Sequence, residues 1–140
     1  MSRVHLRQWS PQETKLLQEA SYDAYICNMI GLPRYSSPQQ ARDWIQRRHR
    51  SEKSRVIVDS ASQEAIGEVG LFSDSSGCWG QLFYWILSKA RGRGLVVEAV
   101  ELLLRQTPRL VVTAFVSDRN LASRRVLAKL GFVRAARNER

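Results

Sequence analysis

The stretch Leu87-Ser88-Lys89-Ala90-Arg91-Gly92-Arg93-Gly94-Leu95 decides the fold of this chain. It follows a strand-like apolar run, and its two glycines, Gly92 and Gly94, stand one residue apart at the start of a helical pattern. Glycine lets the backbone come close to an anion, and the first N–H groups of a helix have no partner within that helix. Positive charge comes from the helix dipole and from three basic side chains, Lys89, Arg91 and Arg93. The stretch therefore predicts an anion cradle where a strand meets a helix.

Two common phosphate-binding motifs do not fit these residues. A dinucleotide-binding fingerprint requires a third glycine where Val97 stands, and a Walker loop requires Gly-Lys followed by Ser or Thr. A glycine-rich turn that binds nothing is the alternative interpretation of the same residues.

The chain before the cradle predicts a strand, helices and then three strands. Residues 3–9 alternate as a short strand, and Ser10-Pro11-Gln12-Glu13 has the residues of a helix start with Ser10 as its N-cap. Ser37-Pro38-Gln39-Gln40 opens a second helix that runs to about His49, whereas residues 22–33 fit either a helix or a loop. Three strand-like runs predict an antiparallel meander, and they cover residues 55–58, 65–72 and 80–87.

The chain after the cradle completes a mixed sheet. Helical spacing extends from residue 92 to about residue 106, and residues 110–116 are apolar and β-branched enough to predict a buried strand. A last helix over residues 120–130 precedes Gly131, a left-handed C-cap, and Phe132-Val133 begins a final short strand. The order βααβββαβαβ predicts an α+β fold in one domain, residues 1–140.

Length and composition are those of an ordinary globular domain. The chain has 140 residues, of which 44% are hydrophobic and 25% charged. No apolar run approaches the roughly 18 residues that a membrane span needs. The first residues carry charges without an apolar segment behind them, so they do not predict a signal peptide, and we expect a cytoplasmic protein.

The net charge favours anionic binding partners, and the positions of cysteine and histidine do not predict a metal site. A net charge of +9 favours anionic partners, among which a coenzyme, RNA and an acidic protein all qualify. Arginines from Arg42 to Arg50 lie on one face of the second predicted helix, which is typical of a solvated face and does not favour RNA. The cysteines and histidines are too far apart in sequence to predict a metal site, and they are Cys27, Cys78, His5 and His49.

The cradle resembles motif A of the GNAT acetyltransferase superfamily, Gln/Arg-x-x-Gly-x-Gly/Ala, with Lys89 in the first position. The run from Gly92 to Ala99 is similar to the Gly-x-Gly-Tyr-x-x-Glu-Ala run of the branch that acetylates ribosomal-protein N-termini. The run from Asn120 to Phe132 is similar to that branch's Asn-x-x-Ser-x-x-x-Leu-x-Lys-x-Gly-Phe block. The resemblance covers essentially the whole chain. It implies a mostly antiparallel, splayed sheet of about six strands with about four helices.

The resemblance also implies a coenzyme site. In such proteins the pantetheine arm of acetyl-CoA pairs with the strand before the cradle, at positions matched here by Ile86, Leu87 and Ser88. The pyrophosphate lies on the cradle amides, which are those of Arg91, Gly92, Arg93, Gly94 and Leu95. Asn120 would contact the pantetheine arm, cap the last helix, or do both. Arg124 and Lys129 would reach the 3′-phosphate, or would be helix-surface cations without a function.

The transfer implied by the resemblance joins acetyl-CoA to an amine. Ser123 is the expected proton donor to the leaving thiolate, with an exposed helical serine as the alternative. Glu68 is the expected base, because its mid-strand position would otherwise favour an apolar residue; a solvent-facing strand residue is the alternative. No metal is expected.

The acceptor and the end of the chain leave alternatives open. Members of the superfamily often have a final β-hairpin after the Gly-Phe, whereas only one short strand fits before Arg140. The shortened end implies an open acceptor site, a sheet completed in a homodimer, or a degenerate enzyme. The acceptor amine is a protein N-terminus or a small molecule. A non-catalytic acetyl-CoA-binding module and an aminoacyl-tRNA-acetylating toxin are the alternative functions, and salt-sensitive binding would indicate the latter.

Overall fold

The computed structural model describes residues 2–49, 53–73, 79–107, 111–116 and 119–134. Within these ranges five strands form one sheet: β1 (Val4–Arg7), β2 (Ser54–Asp59), β3 (Ala65–Ser73), β4 (Trp79–Ile86) and β5 (Val111–Thr113). The same ranges contain five α-helices: α1 (Thr14–Ala20), α2 (Ala24–Ile30), α3 (Pro38–His49), α4 (Leu95–Arg105) and α5 (Leu121–Lys129). Two 3₁₀ turns are also present: Pro11–Glu13 precedes α1, and Ser88–Ala90 lies within the cradle.

The sheet opens between its last two strands. Strands β1 to β4 pair antiparallel in sequence order, and β5 lies parallel to β4 at the edge. The β4–β5 pairing covers only Trp79–Gln81 against Val111–Thr113, whereas β4 continues to Ile86. Five residues of β4 therefore have no strand beside them on the β5 side in the described chain. The predicted α+β fold with a mostly antiparallel, splayed sheet is confirmed, with five strands in the described ranges.

A β-bulge in β3 changes the face of the sheet to which its side chains point. Ile57 pairs with Gly67 and Val58 pairs with Ala65, so Ile66 is the extra residue of the bulge. Ile66 packs into the core on the α4 side, although strict alternation would place it on the same face as Glu68. Glu68 lies on the other face, beside Trp85. The bulge explains why the apolar residues of this strand do not alternate regularly.

Each face of the sheet is covered by its own apolar cluster. On one face, α4 and α5 pack on the sheet through Leu95, Ala99, Val100, Leu103 and Leu127. On the other face, α1, α2 and α3 pack through Leu16, Leu17, Ile26, Trp44 and Ile45. Among the described residues no helix is both long and apolar enough to cross a membrane.

Of the two helix starts predicted before the meander, the one at Ser37 has the expected side-chain cap and the one at Ser10 does not. The hydroxyl of Ser37 accepts from the backbone N–H of Gln40 at 3.1 Å, and the side-chain oxygen of Gln40 accepts from the N–H of Ser37 at 2.9 Å, which is a capping box. Ser10 is the N-cap residue of the 3₁₀ turn Pro11–Glu13, with Pro11 at its first position as predicted, but its side chain makes no capping hydrogen bond and α1 begins only at Thr14. Glu13 pairs with Arg7 at 2.7 Å.

The undecided segment of residues 22–33 contains a helix. The side chain of Asp23 accepts from the backbone N–H groups of Tyr25 and Ile26, and Gly31 ends α2 in the left-handed conformation, with φ of +68°. Gly131 ends α5 in the same way, as predicted, with φ of +85°.

The strand after α4 differs from its prediction. Residues 110–116 were expected to form a buried strand, but β5 has three residues, and Val111 and Phe115 are 65% and 71% exposed. The reason is position: β5 lies at the sheet edge within the described chain, so burial comes mainly from one side. Leu110 lies outside the described residues. Phe132 and Val133 belong to no strand, and residues 135–140 also lie outside the described ranges.

Candidate active site

A cleft of about 510 Å³ lies at the opening between β4 and β5. Its floor is the free edge of β4, and its walls come from α2, the cradle with the start of α4, and α5. The cradle residues that line it are Ala90, Arg91, Gly92, Gly94 and Leu95. Asn120 and Ser123 line it from the start of α5. The fold thus brings together most of the residues that the sequence assigned to a coenzyme site.

The two glycines of the cradle are there for their backbone conformation. Gly92 has φ of +81° and Gly94 has φ of +73°, values that L side chains rarely adopt. Gly94 is the N-cap residue of α4 and has no side chain to occupy the space before the helix. A Cβ at Gly92 would meet nothing within 4 Å, so the surface in front of this residue is open. The N–H of Arg91 donates to Ser88 at 3.2 Å, so the amides available to an anion begin at Gly92.

The basic side chains of the cradle are not directed to an anion. Each of them is paired with a carboxylate: Lys89 with Glu19 (3.1 Å) and Glu64 (3.4 Å), Arg91 with Asp23 (3.0 Å) and Arg93 with Asp59 (3.2 Å). The prediction that these three side chains add positive charge to the cradle is therefore corrected. They fasten the loop to α1, α2 and the end of β2. Attraction for an anion comes from the backbone N–H groups and the helix dipole.

The two aspartates that pair with the cradle arginines both have a lowered pKa. The pKa of Asp59 is lowered by the N–H of Ala61 and by the Arg93 guanidinium, although burial opposes the shift. Burial raises the pKa of Asp23, but the N–H of Ile26 and the Arg91 guanidinium outweigh it, and the net pKa lies below its ordinary value. Both acids are thus ionised partners of the cradle arginines at neutral pH.

The open edge of β4 offers backbone groups to a ligand. The N–H of Leu87 donates to the carbonyl of Ile66 at 2.8 Å and so points toward β3. Backbone groups of successive strand residues point to opposite edges, so those of Ile86 point to the opening. Ile86 also lines the cleft, whereas Leu87 and Ser88 do not. Of the three residues expected to pair with pantetheine, Ile86 has the suitable geometry.

A hydrogen bond joins the two sides of the cleft. The side-chain oxygen of Asn120 accepts from the N–H of Ser123 at 3.1 Å, which caps α5, and its amide nitrogen donates to the Tyr25 hydroxyl at 3.2 Å. The Tyr84 hydroxyl donates to the carbonyl of Ser123 at 3.5 Å. Burial raises the pKa of Tyr84, so its hydroxyl keeps its proton at neutral pH. Asn120 therefore serves as the cap and also faces the cleft.

The cationic residues of α5 divide between two faces. Arg125 and Lys129, four residues apart, line the cleft, whereas Arg124 does not. The sequence assigned Arg124 to the coenzyme and overlooked Arg125. The 100° between neighbouring helix positions puts Arg124 and Arg125 on different faces, but the sequence does not show which face of α5 meets the cleft. Tyr25 and Met29 of α2 were also overlooked, since residues 22–33 were not assigned to a helix.

Glu68 lies behind the wall of the cleft. Its side chain is fully buried and does not line the cleft. One carboxylate oxygen accepts from the Trp85 indole N–H at 2.8 Å, and the other accepts from the Ser54 hydroxyl. Trp9 donates its own indole N–H to Ser54 at 3.0 Å. The solvent-facing alternative for Glu68 is wrong, and its role as the base stays a prediction.

Arg48 provides the positive charge beside Glu68. Its Nε lies 2.9 Å from a Glu68 oxygen, an ion-pair distance without the alignment of a hydrogen bond. The guanidinium stacks over the Trp44 ring at 4.5 Å and lies 5.5 Å from the Phe83 ring centre. Burial raises the pKa of Glu68, while Arg48 and the hydrogen-bond donors oppose that shift.

An opened sheet edge with a glycine cradle at a helix N-terminus is suited to an extended ligand that bears phosphate. Residues 3–133 match the acetyltransferase (GNAT) domain family. The chain therefore belongs to the GNAT family and is an acyltransferase. No curated protein matches its sequence.

Solved structures of the same family share the fold. A GNAT-family acetyltransferase from Bacillus anthracis superposes with a TM-score of 0.82 at 16% identity, over 96% of this chain and 82% of the other. Spermidine N-acetyltransferase from Vibrio cholerae, in complex with CoA and spermine, gives 0.73 at 15% identity, over 96% and 83%. Ribosomal-protein-S5-alanine acetyltransferase from Vibrio fischeri gives 0.64 at 20% identity, over 95% and 81%. At these identities the likeness concerns the fold.

Proposed function

We propose that this chain transfers the acetyl group of acetyl-CoA to a primary amine, with both substrates bound at the same time. The observation that carries the proposal is the position of the glycine cradle, at one end of a cleft that opens along the free edge of β4. An extended ligand with a phosphate end and an amide-rich arm fits this arrangement, because the cradle offers N–H groups and the strand offers a free edge. A structural relative of the same fold was solved in complex with CoA, which supports coenzyme A as the class of ligand.

Coenzyme binding is assigned to five features of the chain. The amides from Gly92 to Leu95 would hold the pyrophosphate, and the backbone of Ile86 would pair with the pantetheine arm. Asn120 would contact the same arm, since its side chain faces the cleft. Arg125 and Lys129 line the cleft and would lie near a phosphate of the coenzyme, a role that the sequence analysis gave to Arg124 and Lys129.

Acetyl-CoA supplies a thioester whose carbonyl carbon is open to a neutral amine. As the new C–N bond forms and the C–S bond breaks, the amine loses a proton and the sulfur gains one. Ser123 lines the cleft and is the proposed donor of the proton to sulfur. Glu68 is the predicted acceptor of the amine proton, although its carboxylate lies behind Trp85 and does not contact the cleft.

Calorimetric titration with acetyl-CoA tests the proposal. We expect micromolar binding by the native chain and its loss in the Gly92→Glu, Gly94→Glu variant. The matched control is Gly131→Glu, which also has a positive φ and open space at its Cβ but does not line the cleft. Equal binding by all three proteins would disprove the proposal that the cradle holds acetyl-CoA. Binding without turnover of any amine would indicate a non-catalytic module.

A further inference from the structure

We propose that the acceptor is a monoamine with an apolar or aromatic body, held between Tyr25 and Met29 of α2 and Trp85 of β4. This inference rests on the proposed acetyl transfer and names the class of its second substrate. It depends on three properties of the cleft walls, which are their exposed apolar surface, the partners of their polar groups and the sign of their charges.

The α2 wall presents apolar surface to the cleft. Tyr25 is 58% exposed and Met29 is 40% exposed, and both line the cleft one helical turn apart. Ile26, between them in sequence, is fully buried and lines the base of the same wall. A single exposed apolar side chain is ordinary, but a pair on a concave surface is typical of a ligand-binding groove. A ligand body that covers the pair removes this surface from water.

The polar groups of the aromatic side chains already have partners in the protein. The indole N–H of Trp85 donates to Glu68 at 2.8 Å, so Trp85, which lines the cleft although it is only 3% exposed, has no side-chain polar group left for a ligand. The hydroxyl of Tyr84 donates to the Ser123 carbonyl at 3.5 Å, and that of Tyr25 accepts from Asn120 at 3.2 Å. Apart from the proton of the Tyr25 hydroxyl, what these rings offer a ligand is their apolar faces and edges, which suit an aliphatic or aromatic group.

The cleft lining offers no carboxylate to an acceptor with several ammonium groups. Among the described residues that line the cleft, the charged ones are Arg91, Arg125 and Lys129, all of them basic. Arg91 is compensated by Asp23 at 3.0 Å, which also caps α2, and Arg125 and Lys129 are the residues assigned to a coenzyme phosphate. A second ammonium on the acceptor would therefore find no anionic partner among these lining residues. A monoamine needs no such partner, because it reacts in its neutral form.

Two sources supply an amine of this chemistry, and the assay has an arm for each. Phenylethylamine represents a small molecule, and a hexapeptide that begins with Phe represents a protein N-terminus. Spermidine and a hexapeptide that begins with Lys are the polycationic counterparts. Release of free thiol from acetyl-CoA measures transfer to each. We expect kcat/KM for at least one apolar amine to exceed that of its counterpart by about tenfold or more, the scale of discrimination that a pocket provides.

A charge placed in the α2 wall sharpens the test. Met29→Glu adds a carboxylate to the wall, and we expect it to lower kcat/KM for the apolar amine and raise that for spermidine, each by about tenfold. Asn28→Glu is the control, because Asn28 is exposed on the same helix but does not line the cleft. We expect this control to keep the native preference.

The outcomes separate the acceptor class from the transfer itself. Failure of the native chain to bind acetyl-CoA in calorimetry would overturn both proposals. Binding with spermidine turned over as well as the apolar amines, or with neither apolar amine turned over, would overturn the acceptor class alone. An unchanged preference in a folded Met29→Glu variant would overturn the placement of the amine against α2.

Discussion

The indole N–H of Trp85 donates to the fully buried carboxylate of Glu68 at 2.8 Å, so a residue of the cleft wall is fixed by an acid that the cleft does not reach. The second oxygen of that acid is occupied by Ser54 and Arg48. A carboxylate bound in this way on both oxygens has a structural task whether or not it also takes a proton. Buried acids with strongly opposed influences on their pKa also occur at catalytic sites, so the two roles must be separated by experiment.

A charge-neutral double variant separates the two roles of Glu68. Glu68→Gln alone leaves Arg48 as an uncompensated charge, and breaking a buried pair in this way costs about 3–5 kcal/mol. Arg48→Met with Glu68→Gln removes both charges and retains an amide oxygen for Trp85, so we expect stability in urea within about 2 kcal/mol of the native chain.

The turnover of that double variant then decides the role. We expect kcat for the best acceptor to fall by about 10²- to 10⁴-fold, the usual cost of losing a general base, because the variant keeps a partner for the Trp85 indole but has no group at position 68 that can take the amine proton. A kcat within about tenfold of the native value, with KM for the acceptor unchanged, would restrict Glu68 to its structural task.

The cradle glycines give a second prediction, which concerns binding and not only stability. Gly92→Ala places a side chain at φ of +81°, and we expect a loss of about 1 kcal/mol of folding stability. Its methyl group would also project into open space in front of the cradle, so acetyl-CoA should bind at least about tenfold more weakly.

Gly131→Ala is the matched control for the cradle. Gly131 has φ of +85° and open space at its Cβ, and it does not line the cleft. We expect a similar loss of stability in thermal unfolding and no change in coenzyme affinity. If both variants weakened binding equally, the loss would come from general destabilisation and not from the cradle.

Local signals in the sequence predicted most of the fold, and the distant contacts were not accessible to them. The capping box at Ser37 and the glycines at 92, 94 and 131 act through neighbouring backbone, so their patterns predicted the observed conformations. The bulge at Ile66 depends on the pairing of β2 with β3, and no local pattern specifies it. The low burial of β5 follows from its place at the sheet edge. Its apolar composition predicted a buried strand and carried no information about that place.

In the site, too, local features were predicted from the sequence and contacts between distant residues were not. The backbone cradle was predicted because two glycines before a helix carry that information locally. The acid partners of its arginines were not, since Asp23 and Asp59 lie 68 and 34 residues away from Arg91 and Arg93 in sequence. Arg125 was missed because the register of α5 against the cleft is set by tertiary packing.

The Asp23–Arg91 pair predicts a pH dependence of stability. The pKa of Asp23 lies below its ordinary value in the folded chain, so the unfolded state binds its proton first as the pH falls. The stabilisation is complete above the unfolded pKa of about 3.9 and is lost as the pH falls through the lower folded pKa. Asp23→Asn keeps the oxygen that caps α2 but loses the charge beside Arg91. Urea unfolding should show the native chain to be more stable at pH 7, with the difference shrinking below pH 4. A difference independent of pH would contradict the ionic origin.

Asn120 combines two tasks that substitution can separate. Asn120→Ser keeps an acceptor for the N–H of Ser123 but loses the donor to the Tyr25 hydroxyl, whereas Asn120→Ala loses both. We expect Asn120→Ala to lower stability by about 1 kcal/mol and Asn120→Ser by much less, with coenzyme binding weakened in both. Calorimetry and thermal unfolding of the pair measure this. Native affinity in Asn120→Ser would restrict Asn120 to its capping task.

Gly67 is required by the close approach of two strands at the bulge, and its substitution tests the opened edge of β4. A Cβ on Gly67 would lie 2.2 Å from the backbone carbonyl oxygen of Trp85 and 3.0 Å from the Cα of Ile86, atoms that cannot move without shifting β4. We expect Gly67→Ala to cost about 3 kcal/mol or more in urea unfolding, at the upper end of overpacking effects. It should also weaken acetyl-CoA binding, because Ile86 moves with the strand.

Gly80→Ala is the control in the same sheet. The Cβ of this variant would meet only the flexible side chain of Leu71, at 3.4 Å, so we expect the substitution to cost no more than about 1 kcal/mol. Equal stability of the two variants would mean that β3 and β4 are less closely paired at the bulge than this register requires.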